Sequence, residues 1–234
     1  MMQYVTSINP KARIEHQRMC IQTWFDAGAS TVLAVQTPSD DMDTLLREFP
    51  RVDFVVTGSV GHMFARPWLP TIHGMLQEID FTDGNALLIN SDIEVRVPAD
   101  EMAKEFSPPV DKFRCMVRWD YNRRQKRIIK WGVDAFVITP EIRDIVPEDG
   151  MTVGCPVWDW WLPWVVCSKL STKLWSRLNA GFMHRAHIQN WPNSQMKIGF
   201  DVMEEKYGIK QQALANWVIG QTKRLGVSGV MIQP

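Results

Sequence analysis

Short apolar runs recur along the first third of the chain, and segments with a different pattern of polar positions separate them. The runs span residues 2–8, 30–36, 52–58 and 85–90 and are rich in Val, Ile and Leu. Runs of this length that end in turn-forming residues are typical of strands buried on both faces. They predict four strands of a central sheet.

Helical periodicity marks the segments between these runs. Apolar residues recur at helical spacing over residues 13–25, which Gly28 closes, while residues 43–49 fit a shorter helix. A further helix is predicted to open at Pro70, and its apolar face comprises Ile72, Met75, Leu76 and Ile79. Because strands separated by helices usually pair in parallel with helices on both faces, the pattern predicts an α/β fold with a mostly parallel sheet.

The second half of the chain is less regular. Residues 113–120 and 133–139 have the character of strands on either side of a basic turn, and residues 158–170 predict a Trp-rich helix disturbed by Pro163. A short helix is expected over 140–145. A last helix is expected over 210–225, with Ala213, Trp217 and Ile219 facing inward. Since no repeat or linker divides the chain, we expect a single domain with an elaborated second half.

Composition and charge narrow the class of protein. The chain has 234 residues, of which 45% are hydrophobic and 22% charged, as in ordinary globular domains. Lys and Arg together number 26, as do Asp and Glu, so no net field attracts nucleic acid or a membrane surface. No apolar run approaches the roughly 20 residues of a membrane span, and no signal peptide is apparent. We therefore expect a cytoplasmic protein with no membrane partner.

Several familiar motifs are absent from the sequence. The four cysteines are scattered without a Cys-x-x-Cys pair, which argues against a zinc ribbon or redox motif and predicts buried thiols. The segment 58–62 ("GSVGH") lacks the third glycine of a dinucleotide-binding fingerprint, and no Gly-Lys-Ser/Thr or Gly-x-Ser-x-Gly occurs. Dinucleotide-dependent dehydrogenases, P-loop enzymes and serine hydrolases of the nucleophile-elbow type are thus disfavoured.

Two acids, Asp92 and Glu94, follow the predicted strand that ends at residue 90. One interpretation is an ordinary strand end and turn, since Asn, Ser and Asp favour turns. The other is functional, because ligands of parallel sheets bind beyond the carboxyl ends of the strands. Two carboxylates one residue apart can share a hard cation such as Mg²⁺ or Mn²⁺, which would in turn neutralise a diphosphate.

The histidines His184 and His187 are three residues apart and would share one face if the segment is helical. A pair of surface histidines is the plain interpretation, and no Glu lies between them to make a zinc-protease motif. Beside a cation that carries a diphosphate, one imidazole could complete the coordination.

Asp159 lies among aromatic residues in "WDWWLPW" (158–164). It could simply favour the positive end of the predicted helix dipole. Alternatively, a partly desolvated carboxylate on an aromatic platform could orient a hydroxyl group or accept its proton. The basic turn likewise has two interpretations. Its cationic side chains could be solvated or could contact phosphate. These residues are Arg123, Arg124, Lys126, Arg127 and Lys130.

Taken in order along the chain, these motifs resemble those of the GT-A-type nucleotide-sugar glycosyltransferases, in particular small bacterial, viral and plant members. The matching segments are Thr6-Ser7-Ile8, Asn90-Ser91-Asp92-Ile93, Val117-Arg118-Trp119-Asp120, Gly132-Val133-Asp134-Ala135-Phe136, Gly154-Cys155-Pro156-Val157-Trp158-Asp159-Trp160-Trp161-Leu162 and His184-Arg185-Ala186-His187. Each is weak alone, while the ordered set is more specific. Two departures stand out: Glu94 replaces the second Asp of the usual pair, and Trp160 replaces a small polar residue.

The resemblance implies a Rossmann-like GT-A domain with a donor half (1–97) and an acceptor half (98–234). It implies a nucleoside-diphosphate sugar donor and Mn²⁺ or Mg²⁺, with Asp159 as the catalytic group. Residues implied at the donor are Thr6, Ser7, Asn9, Arg66, Asn90, Ser91 and Asp92. Implied metal ligands are Asp92, Glu94, His184 and His187. Residues implied at the acceptor are Asp120, Asp134, Trp158, Asp159 and Trp160.

The expected activity is therefore metal-dependent transfer of a sugar to a hydroxyl of a glycan, a small molecule or a nucleic acid base. A viral variant of this activity would modify a hydroxymethylpyrimidine in DNA and use the basic turn for strand binding. Two alternatives remain open from the sequence. One is a non-catalytic module that binds sugars or nucleotides, and the other is a metal-dependent phosphohydrolase.

Overall fold

The computed structural model describes residues 2–64, 66–107, 111–121, 127–176, 181–185 and 193–224. The strands are β1 (Gln3–Thr6), β2 (Thr31–Gln36), β3 (Asp53–Val56), β4 (Val60–Gly61), β5 (Arg66–Pro70), β6 (Ala86–Ile89), β7 (Ile93–Val95), β8 (Lys112–Tyr121), β9 (Arg127–Ile138), β10 (Lys173–Trp175) and β11 (Phe182–Arg185). The helices are α1 (Ile14–Asp26), α2 (Met42–Glu48), α3 (Ile72–Gln77), α4 (Ala99–Glu105), α5 (Pro140–Ile145), α6 (Trp158–Leu170), α7 (Asn193–Tyr207) and α8 (Gln211–Arg224), with a 3₁₀ turn over His62–Phe64.

A central sheet runs through both halves of the chain in the strand order β3-β2-β1-β6-β9-β8-β11-β7, and β10 pairs with β8. The strands β3, β2, β1 and β6 pair in parallel. The strand β9 then runs antiparallel to both β6 and β8, which restores the original direction in β8 and in its parallel neighbour β11. The predicted α/β fold with a mostly parallel sheet is confirmed. As a result, the carboxyl ends of β1, β6, β8 and β11 meet at one edge of the sheet.

The sheet is buried on both faces because its inner strands alternate their side chains between two apolar clusters. In β1, Tyr4 belongs to the cluster beneath α1 and α2, whereas Val5 belongs to the cluster beneath α3 and α6. The ring of Tyr4 stacks on that of Trp24 from α1, with centroids 5.6 Å apart. On the other face, the rings of Phe113 and Phe136 stack at 5.5 Å. The four cysteines are buried free thiols, as predicted.

Several predicted elements are shifted or differ in type. The helix expected at Pro70 begins at Ile72, because Pro70 ends β5 and the Thr71 hydroxyl caps α3 by accepting from the Gly74 N–H at 3.0 Å. The prediction that Ala213 faces inward is wrong, since it is exposed while Leu214 is buried. The helical condition for the two histidines is not met at His184, which lies on the strand β11.

The described helices do not include one that is long and apolar enough to cross a membrane.

Candidate functional site

The site lies where the parallel strands end. The strands β1 and β6 pair in register, with Val5 beside Leu88, so the loops that follow them leave the sheet side by side. The Asn90 N–H then donates to the carbonyl of Asp134 on β9 at 3.3 Å. The predicted donor loops and one predicted acceptor residue are therefore neighbours at this edge, as expected for a ligand site in a parallel sheet.

His184 connects two aspartates. The parallel pairing of β11 with β8 sets His184 beside Asp120, and its Nδ1 lies 2.9 Å from Asp120 Oδ1. The other ring nitrogen, Nε2, lies 3.4 Å from Oδ2 of Asp92 in the turn after β6. Burial alone would lower the pKa of His184, but the hydrogen bonds to Asp120 and Asp92 outweigh it and raise the pKa. The three side chains form a continuous polar chain.

Arg118 extends this chain to a third aspartate. Burial alone would raise the pKa of Asp120, but the His184 hydrogen bond and the guanidinium of Arg118, whose Nε donates to Asp120 Oδ1 at 3.1 Å, keep that pKa low. The Nη1 of Arg118 forms an ion pair with Asp134 on β9. Gly132 makes room for the guanidinium, since a Cβ at that position would lie 3.1 Å from Arg118 Cζ. The sequence motif contains Arg118, but sequence reasoning assigned it no role.

Asp159 lies in the first turn of α6 and feels the charge of Arg118. Burial raises the pKa of Asp159 to about 6, and the nearby charge of Arg118 moderates that rise. Pro163 has no N–H to donate to the Asp159 carbonyl in the usual helical pattern. The preceding residue, Val157, caps the start of α6 with a φ of 75°, which is rare for a β-branched side chain.

The tryptophans on either side of Asp159 have different surroundings. Trp158 is buried in the core, where its ring meets that of Phe136 edge-on at 5.6 Å. The acceptor role of Trp158 stays a prediction, which its burial in the core does not favour. Trp160 is only partly buried and packs against Phe200 of α7, with centroids 6.0 Å apart.

Glu94 has a different setting from Asp92. It lies on β7, and its buried carboxylate accepts hydrogen bonds from Arg96 and from the hydroxyl of Tyr121. Burial and the neighbouring Glu94 raise the pKa of Tyr121, so the phenol keeps the proton that it donates. The carboxylate of Glu94 is thus already engaged by two protein groups, whereas the side chain of Asp92 is 25% exposed.

The predicted donor residues after β1 are held by two glutamines that sequence reasoning missed. The Ser7 hydroxyl donates to Gln36 Oε1 at 3.3 Å, and the Asn9 N–H donates to Gln17 Oε1 at 2.9 Å. Thr6 is fully buried. A sequence signal did exist for Gln17, because it is a polar residue on the apolar face of α1, three positions after Ile14.

The remaining predicted positions lie in β5, in β9 or outside the described residues. His187 and the basic residues Arg123, Arg124 and Lys126 lie outside the described residues. Arg66 begins β5, which pairs with β4. The backbone of Arg127 and Lys130 belongs to β9.

The side chains of Asp92 and His184 could supply part of the coordination shell of a divalent cation. Over the ranges that the structure describes, no group of three or more His, Cys, Asp or Glu residues could hold a metal ion. However, Nδ1 of His184 lies on the carboxylate of Asp120, as in many metal-binding histidines, while its Nε2 faces Asp92, the other proposed ligand. A Mg²⁺ or Mn²⁺ ion commonly takes only one or two protein carboxylates and completes its shell with water and substrate phosphate.

Comparisons with known proteins find remote structural similarity and no sequence family. No protein-family model matches the sequence, and curated proteins give no match either. Among solved structures, the chain is similar to glucosyl-3-phosphoglycerate synthase of M. tuberculosis, with 13% identity and a TM-score of 0.48 over 97% of this chain and 81% of that one. It is also similar to inositol-1-phosphate CTP transferase of T. maritima, with 12% identity and a TM-score of 0.47 over 87% and 96% of the two chains. A Mycobacterium tuberculosis H37Rv protein in complex with manganese aligns at 8% identity and a TM-score of 0.42 over 87% and 98%. Similarity of this size says nothing about substrate or activity.

Proposed function

We propose that the chain transfers a sugar from a nucleoside diphosphate to an acceptor hydroxyl with the help of a divalent cation. The observation that carries the proposal is the 3.4 Å contact between Asp92 and His184 at the carboxyl edge of the sheet. Asp159, in the first turn of α6, adds a carboxyl group that feels the charge of Arg118, the partner of Asp120. A site with cation ligands at one end and a carboxylate of raised pKa at the other suits group transfer between two bound substrates.

At the donor end, Asp92 and His184 would hold Mn²⁺ or Mg²⁺, with Asp120 fixing the ring of His184. The cation supplies charge neutralisation for the diphosphate that leaves. Ser7 and Asn9 in the loop that follows Thr6, and Asn90 in the turn after β6, would line the nucleotide, because these segments leave β1 and β6 side by side.

At the acceptor end, Asp159 would accept the proton of the attacking hydroxyl. A new bond forms between the acceptor oxygen and the anomeric carbon, and the bond from that carbon to the diphosphate oxygen breaks. A base works best when its pKa is close to the operating pH, and burial has already raised the pKa of Asp159 to about 6. Arg118 keeps that pKa from rising further while it holds Asp120 and Asp134 in place.

The experiment that tests this proposal is a thermal-shift screen of nucleotide sugars with and without Mn²⁺, followed by assays of donor hydrolysis. We expect at least one nucleoside diphosphate sugar to stabilise the protein in an Mn²⁺-dependent manner, and the Asp92→Asn variant to lose that response. Donor binding without turnover on any acceptor or water would indicate a binding module. Release of phosphate from simple esters, with no preference for sugar nucleotides, would indicate a phosphohydrolase.

A modified base in DNA is one acceptor within the proposed class. Substitutions in the basic turn at residues 122–130 test whether DNA is the acceptor. Charge reversal at Arg123, Arg124 and Arg127 to Glu should weaken DNA binding and flatten its salt dependence, because fewer counterions are released. A parent protein with no salt-sensitive affinity for single or double strands would exclude this acceptor.

A further inference from the structure

Two buried glutamine side chains, Gln17 on α1 and Gln36 at the end of β2, hold the loop that joins β1 to α1. This loop (residues 7–13) carries the groups proposed to contact the nucleotide. It has no regular hydrogen-bonding partner strand of its own, and it ends at Arg13, which has a left-handed φ of 55°. Ile8 in this loop is buried, so its backbone N–H and carbonyl need partners within the protein.

Gln17 uses the full hydrogen-bonding capacity of its amide. Its Oε1 accepts from the Asn9 N–H at 2.9 Å and from the Ser91 hydroxyl at 2.8 Å. Its Nε2 donates to the carbonyls of Asn9 at 2.9 Å and Ala12 at 2.6 Å. A carboxamide offers two donors and an oxygen with two acceptor positions, so all four are occupied. Only 4% of Gln17 is exposed.

Gln36 does the same on the other side of the loop. Its Oε1 accepts from the Ile8 N–H at 2.8 Å and from the Ser7 hydroxyl at 3.3 Å, while its Nε2 donates to the Ile8 carbonyl at 2.8 Å. The fourth contact, from Nε2 to Asp40 Oδ2 at 3.2 Å, anchors the amide, because Asp40 is itself held by the Thr37 N–H at 2.8 Å. The side chain of Gln36 thus pairs with Ile8 as a neighbouring strand would.

The contact between Gln17 and Ser91 connects two loops that are far apart in sequence. Ser91 precedes Asp92, so a single amide ties the loop after β1 to the residue next to the proposed cation ligand. Every contact of the two amides is made within the protein, and none requires the donor. A loop held in this way presents its groups in a fixed arrangement and loses little further entropy when a ligand binds.

We propose that Gln17 and Gln36 are positioning residues that preorganise the donor site, and that Ser91 acts through Gln17 rather than on the donor. This inference rests on the proposed function for the identity of the ligand. It predicts that the loop after β1 and the turn at Asp92 form one unit that Gln17 holds together.

The first test compares Gln17→Met with Gln22→Met, a matched change on the exposed face of the same helix. We expect Gln17→Met to raise the KM for the sugar nucleotide about tenfold, on the scale of one lost buried contact, with a smaller change in kcat. Gln36→Met should act in the same direction. The control should match the parent. A purely structural role would lower the melting temperature without moving KM well below that temperature, and that result would overturn the inference.

The second test is a double-mutant cycle of Gln17→Met and Ser91→Ala. If Ser91 acts through Gln17, the double variant should have the same kcat/KM as Gln17→Met alone. Additive losses would show that Ser91 contacts the donor independently, and would overturn this part of the proposal.

The third test needs no ligand and separates this inference from the proposed function. In the free protein, hydrogen exchange at the Asn9 amide and in the segment 90–92 should accelerate together in Gln17→Met, by tenfold or more, and stay unchanged in Gln22→Met. Unchanged exchange in Gln17→Met would overturn the inference, whatever the parent binds. Accelerated exchange in a protein that binds no sugar nucleotide would overturn the proposed function and leave the coupling of the two loops standing.

Discussion

His184 Nδ1 lies 2.9 Å from Asp120 Oδ1, and this contact fixes the direction in which the other ring nitrogen points. The two residues are direct neighbours in the parallel ladder of β11 and β8. Because Asp120 holds one nitrogen, the other faces Asp92 at 3.4 Å. The ladder therefore places a second potential cation ligand beside the acid at the end of β6, and it does so with an orienting carboxylate already attached.

Asp92 and Glu94 should respond differently to neutralisation. We expect Asp92→Asn to abolish the Mn²⁺-dependent stabilisation by donor with little change in the melting temperature of the free protein, because Asp92 is partly exposed. Glu94→Gln should keep a weakened Mn²⁺ response and lower the free-protein stability by about 1–3 kcal/mol, since Arg96 and Tyr121 lose a buried partner. Thermal shifts with and without Mn²⁺ measure both effects. An equal loss of the Mn²⁺ response in both variants would mean that Glu94 is a ligand too.

Asp120→Asn should weaken the cation site without removing either proposed ligand. An amide in place of the carboxylate no longer fixes the charge and orientation of the His184 ring, and loss of such a partner typically costs about 10–100-fold in metal affinity. The Mn²⁺ concentration needed for half-maximal activity should rise accordingly. Asp26→Asn, at the exposed end of α1, serves as the control. An unchanged Mn²⁺ titration in Asp120→Asn would exclude the orienting role.

Asp159→Asn should separate catalysis from binding and from stability. We expect transfer to fall about a hundredfold or more, the scale of a lost general base, with donor affinity nearly unchanged. The folded protein should become more stable at neutral pH, because the substitution removes a carboxylate whose charged form is disfavoured by its surroundings. Loss of donor binding in this variant would show that Asp159 acts at the donor and not at the acceptor.

The same carboxyl predicts the direction of the pH dependence. The pKa of Asp159 is about 6 in the folded protein, above the 3.8 of an ordinary aspartate, because burial favours its neutral form. Transfer should therefore decline as the pH falls through about 6, where the base becomes protonated. Stability changes with pH in the opposite direction to activity. The raised pKa of Asp159 stabilises the folded protein fully below the ordinary pKa of 3.8, and this stabilisation is lost as the pH rises through about 6. The stability gap between Asp159→Asn and the parent should thus widen over this pH range.

Gly132→Ala tests the position of Arg118. The added methyl would lie 3.1 Å from Arg118 Cζ and push the guanidinium away from its aspartates. We expect a loss of about 1–3 kcal/mol in the free energy of unfolding, typical of overpacking. The midpoint of the pH–activity profile should also rise, because Arg118 holds the pKa of Asp159 down. Gly58→Ala is the control, since a Cβ there meets no atom within 4 Å. A lower midpoint in Gly132→Ala would contradict this role.

Much of the fold could be predicted from the sequence because its signals are local. Runs such as 30–36 and 85–90 are apolar and rich in branched residues, so they form buried parallel strands in whatever context supplies the helices. Asp92 could be proposed for the same reason, since it lies two residues after such a run and ligands of parallel sheets bind beyond the carboxyl ends of the strands. The helical periodicity around Trp24 likewise predicted α1 to within a residue at each end.

The tertiary structure determined which side chains contact one another. The segment around His184 is too short to show a period, and its strand conformation comes from pairing with β7 and β8 on either side. The different settings of Asp92 and Glu94 depend on Tyr121, which is distant in the chain. Gln17 was visible as a polar residue on an apolar helix face, but its link to Ser91 spans 74 positions. Local sequence determines the type of an element, whereas long-range hydrogen bonds determine which side chains meet, because their energy depends on a geometry that only the assembled sheet provides.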